Sequence, residues 1–226
     1  MSARLRYAAV LRAPHVTRLL CTALIARAPV GVNGLAIVLF VRAESGSYAT
    51  AGAVAGAYAL GAAVIAPFVG RFVDRRGAPG VLLPLAVIHG VMLGLLVALG
   101  LEGAATALLL AAGFLAGSAI PPVGSVLRAL WPSLLDDTPD LLTTAYALDS
   151  VIVELAFMVG PLLVGLCAAY ASPQVALLAA LVLVVGGTAA FAATAPVRGY
   201  APHEQHGHDT GGRLGALRSP GVRTLV

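Results

Sequence analysis

The residues with the clearest chemical potential are charged side chains that lie inside long apolar runs. Arg27 lies about ten residues into the first run, and Glu154 lies about thirteen residues into the fifth. Opposite charges in an apolar surrounding offset each other's desolvation where they touch. We therefore predict a buried Arg27–Glu154 pair, either structural or part of a coupling site. Asp149 lies about 140° around the same helix from Glu154, and Arg75 or Arg128 is its predicted partner.

Uncharged polar residues in the same runs are candidates for a binding cavity or for contacts between helices. Asn33 is expected to hydrogen-bond either a substrate or a neighbouring helix. Tyr58, Ser118 and Ser125 are candidate cavity residues. His89 is interpreted as an interior histidine with satisfied hydrogen bonds rather than as a proton relay. The predicted cavity and coupling set therefore comprises Arg27, Asn33, Tyr58, Ser118, Asp149 and Glu154.

Prolines mark where the elements that carry these side chains can bend. Pro29 lies in the first run, Pro121 and Pro122 lie in the fourth, and Gly160 and Pro161 lie in the fifth. Proline frees backbone groups and bends or breaks a helix. We expect the helices at these positions to flex or to form concave surfaces.

The composition places those elements in a membrane. Hydrophobic residues make up 59% of the chain and charged residues 11%, against roughly 45–50% and 25% in a soluble domain. One helical crossing of a bilayer needs roughly 20 apolar residues. Alternation at strand period is absent, so we predict an all-α membrane protein with six transmembrane helices. The six segments are residues 16–41, 48–69, 80–101, 103–127, 141–170 and 174–195.

The distribution of arginines predicts the orientation. With six crossings, the arginines before the first segment, between the second and third, at the end of the fourth and after the sixth fall on one side. The positive-inside rule makes that side, and the N-terminus, cytoplasmic. The net charge of +4 is therefore interpreted as topology, and no nucleic-acid partner is expected. The absence of lysine suggests a GC-rich bacterium, in which the lipid partner is the plasma (cytoplasmic) membrane.

The last part of the chain has a different composition. Residues 197–216 are predicted to form a flexible cytoplasmic linker after a bundle of residues 1–196. The linker's His203, His206 and His208 are interpreted as solvated residues rather than as a metal site. Residues 217–226 resemble residues 11–20, with Leu, Arg, Pro, Val and Leu in register. This predicts a second half that restarts there in a truncated chain. A natural six-helix protein with an amphipathic tail is the alternative.

One short motif resembles a family signature. Gly70, Asp74, Arg75 and Gly77, between the second and third predicted helices, match in position the loop signature of the major facilitator superfamily. Ala78 and Pro79 replace its trailing basic pair. In the fifth segment, Gly160-Pro161 followed by Gly165 is similar to the superfamily's antiporter motif, although the spacing is one residue longer.

The resemblance implies an N-terminal half-bundle, built as a 3+3 inverted repeat, with the start of a seventh helix and a C-terminal half as partner. It implies secondary active transport of a small molecule by alternating access, with the loop as a conformational switch. By analogy, the expected function is efflux of an amphipathic compound, with protons as a candidate coupling partner. No catalytic residue, cofactor or metal is expected, and the protein is not expected to be an enzyme. A six-helix channel, scaffold or intramembrane enzyme is the alternative.

Overall fold

The structure is a computed structural model that describes residues 3–136 and 138–200. The described residues form helices joined by short connections. A 3-10 turn over Pro139–Leu141 precedes α7. The helices are α1 (Ala3–Arg12), α2 (Val16–Ser45), α3 (Tyr48–Arg76), α4 (Ala78–Leu101), α5 (Thr106–Ser118), α6 (Val123–Leu134), α7 (Leu142–Tyr170), α8 (Pro173–Ala192) and α9 (Ala195–Arg198).

Six membrane-length crossings are present in the described part of the chain, which confirms the predicted all-α membrane fold. They are α2, α3, α4, α5 together with α6, α7, and α8. The fourth crossing is interrupted because Pro121 and Pro122 cannot continue an α-helix, and α6 restarts at Val123. The predicted linker and the predicted start of a seventh helix, apart from residues 197–200, lie outside the described residues.

The arginine-rich turn predicted between the second and third crossings is almost entirely helical. Helix α3 continues to Arg76, seven residues beyond the predicted end at Val69, and Gly77 alone separates it from α4. Nothing between Gly70 and Arg76 breaks a helix, and basic side chains are favourable near a helix C-terminus. We call the end of the bundle where α3 meets α4 the arginine-rich end.

The packing of the crossings follows an internal symmetry. Helix α2 packs mainly against α7 and α8, while α5 packs mainly against α3 and α4, and α4 also packs against α8. Exchanging α2 with α5–α6, α3 with α7, and α4 with α8 converts one set of neighbours into the other. These contacts fit two triplets of crossings in a 3+3 arrangement.

Two apolar clusters hold the bundle together, one toward each end. The cluster at the arginine-rich end contains Trp131, Phe191 and Leu19, all fully buried. The other cluster contains Phe40 and Leu177, also fully buried. Three of the buried polar side chains of the crossings lie between these clusters, near mid-depth: Asn33, His89 and Thr188.

Glycines allow at least three pairs of helices to touch at backbone distance: α2 with α7, α3 with α5, and α2 with α8, where a Cβ built on Gly187 would lie 2.5 Å from the Ala26 nitrogen. A Cβ built on Gly31 of α2 would lie 2.0 Å from the carbonyl oxygen of Ala156, beside Gly160 of α7. A Cβ built on Gly117 of α5 would lie 1.9 Å from the carbonyl oxygen of Tyr58, and one on Gly61 of α3 would lie 2.2 Å from that of Phe114. Small residues permit such close approach in membrane proteins.

Helices α3 and α7 are the least covered crossings. In their most apolar windows only 22% of residues are buried, against 44% in the other four crossings. Large apolar side chains such as Phe157, Met158 and Leu162 project from α7 into the surroundings. Exposed apolar surface of this extent belongs in lipid or against another protein surface.

Candidate functional site

A buried carboxylate between two arginines is the strongest electrostatic feature of the bundle. The Asp149 side chain is fully buried. Its Oδ1 accepts a hydrogen bond from Arg27 Nη1, and its Oδ2 accepts one of 2.5 Å from Arg128 Nε. The Arg27 side chain is 14% exposed and that of Arg128 is 56% exposed. The cluster therefore links α2, α6 and α7, with one cation inside the bundle and the other at its surface.

The predicted pairing of Arg27 with Glu154 is wrong, because Arg27 binds Asp149 instead. The buried residues of α7 follow a stripe at helical spacing that includes Ala145, Asp149, Ile152 and Ala156. Glu154 lies outside this stripe and is exposed. Depth alone suggested Glu154, whereas the face of the helix decides the partner. Of the two partners predicted for Asp149, the structure selects Arg128.

The Arg27 guanidinium is held where the fourth crossing restarts. A Cβ built on Gly124 of α6 would lie 3.0 Å from Arg27 Nη2, so the absence of a side chain there makes room for the arginine. Gly124 follows the Pro121–Pro122 break by two residues. The proline break and the charge cluster are therefore neighbours, and movement of α6 relative to α5 would change the surroundings of Arg27.

A second polar group lies in the middle of the bundle. Asn33 of α2 donates from Nδ2 to the Tyr58 hydroxyl of α3 at 2.9 Å. The same nitrogen lies 3.2 Å from His89 Nε2 of α4. The other ring nitrogen, Nδ1, lies 2.7 Å from the carbonyl oxygen of Ala116 on α5. These contacts join four helices, and they put Asn33 in contact with neighbouring helices.

The space around these polar groups is small. Arg27, Asn33, Tyr58, His89 and Pro121 line a common cavity of about 20 Å³. That volume holds about one water molecule. The cavity joins the surroundings of the charged cluster to those of the uncharged one.

Ser118 and Ser125 line a larger groove between α3 and the broken fourth crossing. The groove has a volume of about 270 Å³, and its other walls include Ala62, Ala66 and Gly70. The Ser118 hydroxyl donates to the carbonyl oxygen of Phe114 in its own helix, at 2.8 Å. Tyr58 lies nearby but is 8% exposed and engaged with Asn33. The predicted cavity residues therefore divide between an interior cluster and this groove.

The motif residues at the arginine-rich end are distributed along the end of α3. Gly70, Asp74 and Arg75 lie in its last two turns, and Asp74 and Arg75 are exposed. Gly77 has φ 76° and ψ 159°, and its N–H donates to the Val73 carbonyl oxygen at 2.9 Å. Burial and the nearby Asp74 carboxylate raise the pKa of Tyr200 above its ordinary value. Asp74 therefore lies close to the segment that follows α9.

Of the residues predicted to flex the helices, some lie inside continuous helices and others lie at a break between two helices. Pro29 and Pro161 lie inside the continuous helices α2 and α7. Gly160 packs against Gly31 in the contact between those helices. Pro121 and Pro122 form the break between α5 and α6. Among the described residues no group of His, Cys, Asp and Glu could hold a metal ion, while His203, His206 and His208 lie outside them.

Residues 19–223 match the sequence model of the Major Facilitator Superfamily. The chain belongs to the Major Facilitator Superfamily. The match covers the six crossings apart from the first three residues of α2 and continues beyond them, so this superfamily member is a multi-pass membrane protein of a transport family rather than of an enzyme family. Its setting implies a lipid bilayer and a small-molecule substrate as partners. No curated protein and no solved structure matches the chain.

The cluster of Asn33, Tyr58 and His89 was not predicted from the sequence as a unit. Tyr58 follows Asn33 by 25 positions in the sequence, and His89 follows it by 56. Each was recognised as a polar residue inside an apolar run. Their meeting depends on how α2, α3 and α4 rotate about their axes, and that rotation has no local signal in the chain.

Proposed function

We propose that this superfamily member is one half of a secondary active transporter that exports small amphipathic molecules in exchange for protons. Alternating access would arise from rocking of this half against a second six-helix half. The observation that carries the proposal is the buried Asp149 carboxylate held by Arg27 and Arg128. The three side chains come from three helices, so movement of any of these helices changes the charge balance inside the bundle.

Charge balance provides the coupling between proton movement and helix movement. Separation of Arg27 and Arg128 from Asp149 leaves a buried carboxylate without a cation, which costs several kcal/mol. Binding a proton removes that charge, and a neutral carboxyl group is tolerated in an apolar surrounding. Return of the arginines expels the proton again. The cycle thereby links one proton to each opening and closing of the bundle.

The substrate class is inferred from the groove between α3 and the fourth crossing. Its walls combine small apolar residues, which present a smooth surface, with the hydroxyl-bearing Ser118 and Ser125. Mostly apolar lining with a few polar groups is typical of small-molecule sites. Such a lining suits an amphipathic compound better than a highly charged one. The second half would supply the opposite wall.

Glu154 is the further candidate for coupling. It is exposed on α7, opposite the face that packs against α2, and lies about half-way along the helix. A carboxylate at that depth is unfavourable in lipid and faces protein or water instead. We therefore place the second half, or the cavity between the halves, on that side of α7. The arginine-rich end, with Gly70, Asp74, Arg75 and Gly77 as the switch surface, would face the cytoplasm of a bacterial cell.

The test uses everted membrane vesicles from cells that express the complete open reading frame containing this chain. Vesicles are energised until they accumulate protons, which quenches an acridine dye, and ethidium and rhodamine 6G are then added separately. Export coupled to protons predicts that a transported probe causes dye fluorescence to recover. Asp149→Asn should abolish the recovery, whereas Asp140→Asn, the same change at an exposed site, should preserve it.

Three outcomes contradict the proposal. Recovery that is equal in Asp149→Asn vesicles removes Asp149 from the coupling mechanism. Probe accumulation that persists after the proton gradient is collapsed indicates a channel or uncoupled carrier. Vesicles in which neither probe changes the fluorescence contradict the proposed efflux of small amphipathic molecules.

A further inference from the structure

The cluster of Asn33, Tyr58 and His89 contains a hydrogen-bonding mismatch that the proposed transport cycle does not use. The Asn33 amide nitrogen contacts both the Tyr58 hydroxyl and His89 Nε2. Asn33 Oδ1 is buried and has no hydrogen-bond partner among the described residues. An unpaired buried polar atom costs about 1–3 kcal/mol. The hydrogen bonds of the cluster are therefore incomplete in this arrangement, and a different protonation of His89 would favour a different orientation of the Asn33 amide.

The contacts fix the protonation of a neutral His89 ring. Nδ1 lies 2.7 Å from the Ala116 carbonyl oxygen, which only accepts, so Nδ1 carries a proton. Nε2 faces the Asn33 amide nitrogen, which only donates, so Nε2 presents a lone pair. The two Asn33 amide hydrogens then serve Nε2 and the Tyr58 oxygen. The Tyr58 hydroxyl hydrogen is left without an acceptor in this pair.

Rotation of the Asn33 amide by about 180° exchanges its oxygen and nitrogen at nearly unchanged positions, since the two ends have almost the same shape. Oδ1 would then face both the Tyr58 hydroxyl and His89 Nε2. Its two lone pairs would accept one hydrogen bond from Tyr58 and one from an N–H at Nε2. A proton on Nε2 as well as on Nδ1 makes this second arrangement the only one that gives the Nε2 N–H an acceptor, although the Asn33 NH2 group then occupies the position that has no partner among the described residues.

We propose that His89 is a proton-binding site, and that the Asn33 amide rotates when His89 gains or loses this proton. A hydronium ion transfers its proton to the Nε2 lone pair and leaves a water molecule, the ring gains one positive charge, and the amide turns its oxygen toward the new N–H. The hydrogen bonds from α2 to α3 and α4 reverse direction together. Loss of the proton restores the first arrangement.

Among the described residues, the groups that face His89 include no carboxylate, so hydrogen bonds alone would hold the added charge. From α2 the facing groups are Asn33 and, across the shared cavity, Arg27, which shares Asp149 with Arg128. From α3 the facing group is Tyr58, at a ring separation of 6.1 Å. From α5 it is the Ala116 carbonyl oxygen, and neither α5 nor α8 contains a titratable residue. On α9, Arg198 lies at the arginine-rich end, so its charge is distant. The cavity of about 20 Å³ provides room for the water that delivers the proton.

The inference does not depend on the proposed direction, substrate or coupling of transport. It concerns proton binding by the chain itself and is measured without a transport assay. Failure of the vesicle experiment leaves it intact, and failure of the experiment below leaves the role of Asp149 intact.

Nuclear magnetic resonance on the full chain in lipid nanodiscs tests the proposal. Asn33 is the only asparagine in the sequence, so ¹⁵N-asparagine labelling gives a single side-chain amide signal. ¹⁵N-histidine labelling reports both ring nitrogens, and the His89 signals are those lost in His89→Gln. Spectra are recorded between about pH 5 and about pH 9, which brackets ordinary histidine titration.

We expect the alkaline spectrum to show His89 protonated at Nδ1 and unprotonated at Nε2. Acidification should protonate Nε2 and shift the Asn33 amide signal with the same midpoint. In His89→Gln the Asn33 signal should lose its dependence on pH, and in Tyr58→Phe its shift should shrink because one donor is removed. His15→Gln, a change at an exposed histidine, should alter neither response.

Three results overturn the proposal. The first is a neutral His89 ring protonated at Nε2. The second is a His89 ring that stays neutral over the whole range. The third is titration of His89 without any change at Asn33, which would show that the Asn33 amide does not rotate when His89 is protonated. All three are read from spectra of the unsubstituted chain once His89→Gln has assigned the His89 signals.

Discussion

At the scale of single residues, the interior of the bundle tolerates charge only where a partner lies on the correct face of the neighbouring helix. Asp149 satisfies this condition because it lies on the stripe of α7 that faces α2. Glu154, on the exposed face, does not. One residue is therefore part of the packing of the bundle, while the other is available to whatever covers that face.

The difference between these two carboxylates predicts different effects on stability. Asp149→Asn leaves Arg27 largely buried with no counter-charge, and breaking such a pair costs about 3–5 kcal/mol. Glu154→Gln removes the same type of charge from an exposed position and should cost much less. Thermal unfolding of both variants in the same detergent, followed by circular dichroism, measures the difference. Equal apparent Tm values would mean that the Asp149 cluster does not stabilise the bundle.

Some of this residue-scale arrangement was predictable and some was not. Charge inside an apolar run identified Arg27, Asp149 and Glu154 as a set, because such residues are rare in membrane segments. The partner of Arg27 was predicted incorrectly, since pairing depends on helix rotation as well as depth. The Asn33–His89 contact escaped prediction for the same reason.

At the scale of elements, glycines decide how the helices end and how closely they pack. The lengths of the apolar segments were enough to predict all six crossings, because an α-helix is one of the few backbone structures that satisfy all their hydrogen bonds in lipid. The end of α3 was placed seven residues early because arginines suggest solvent exposure, and solvent exposure does not stop a helix. Only Gly77, with its backbone conformation, stops it.

The junction between α3 and α4 gives a matched pair of substitutions. Gly77 adopts a conformation that is almost confined to glycine, so Gly77→Ala should destabilise the chain by about 1–3 kcal/mol. Gly70 lies in the helix with no atom within 4 Å of a built Cβ. Gly70→Ala should therefore stabilise the chain by about 0.5–1 kcal/mol. Chemical denaturation in mixed micelles measures both changes, and a loss of stability in Gly70→Ala alone would contradict this account of the junction.

The contact between α2 and α7 gives a second matched pair. A Cβ on Gly31 would lie 2.0 Å from the Ala156 carbonyl oxygen, whereas a Cβ on Gly34 meets nothing within 4 Å. Gly31→Ala should force the helices apart and cost about 1–3 kcal/mol. Gly34→Ala should have no such cost. The apparent Tm of each variant in detergent checks the prediction. Equal Tm values for Gly31→Ala and Gly34→Ala would show that α2 and α7 do not touch closely at Gly31.

At the scale of the whole molecule, the six crossings put most of the arginines at one end, and Arg42, Glu44 and Glu102 at the other. The connection that contains Glu102 joins α4 to α5, while Arg76 ends α3, so one crossing separates them. The number of crossings and the charge asymmetry together predict the orientation, which neither feature gives alone.

Accessibility labelling tests that orientation. Arg76→Cys and Glu102→Cys are prepared separately in a chain whose Cys21 and Cys167 are replaced by alanine. Both positions are exposed in the structure, so each new thiol is open to reagent. In intact cells a membrane-impermeant maleimide should label the Glu102→Cys chain, and the Arg76→Cys chain only after permeabilisation. Labelling of both in intact cells would contradict the six-crossing topology.

Two of the glycine contacts described above have a mechanical consequence. One joins α2 to α7 and the other joins α3 to α5, and the internal symmetry exchanges them. Where bare backbones meet, no interlocking side chain resists rolling, so each contact can serve as a pivot. A small rotation of one triplet against the other is therefore expected to displace the helix ends furthest from these contacts more than the contacts themselves.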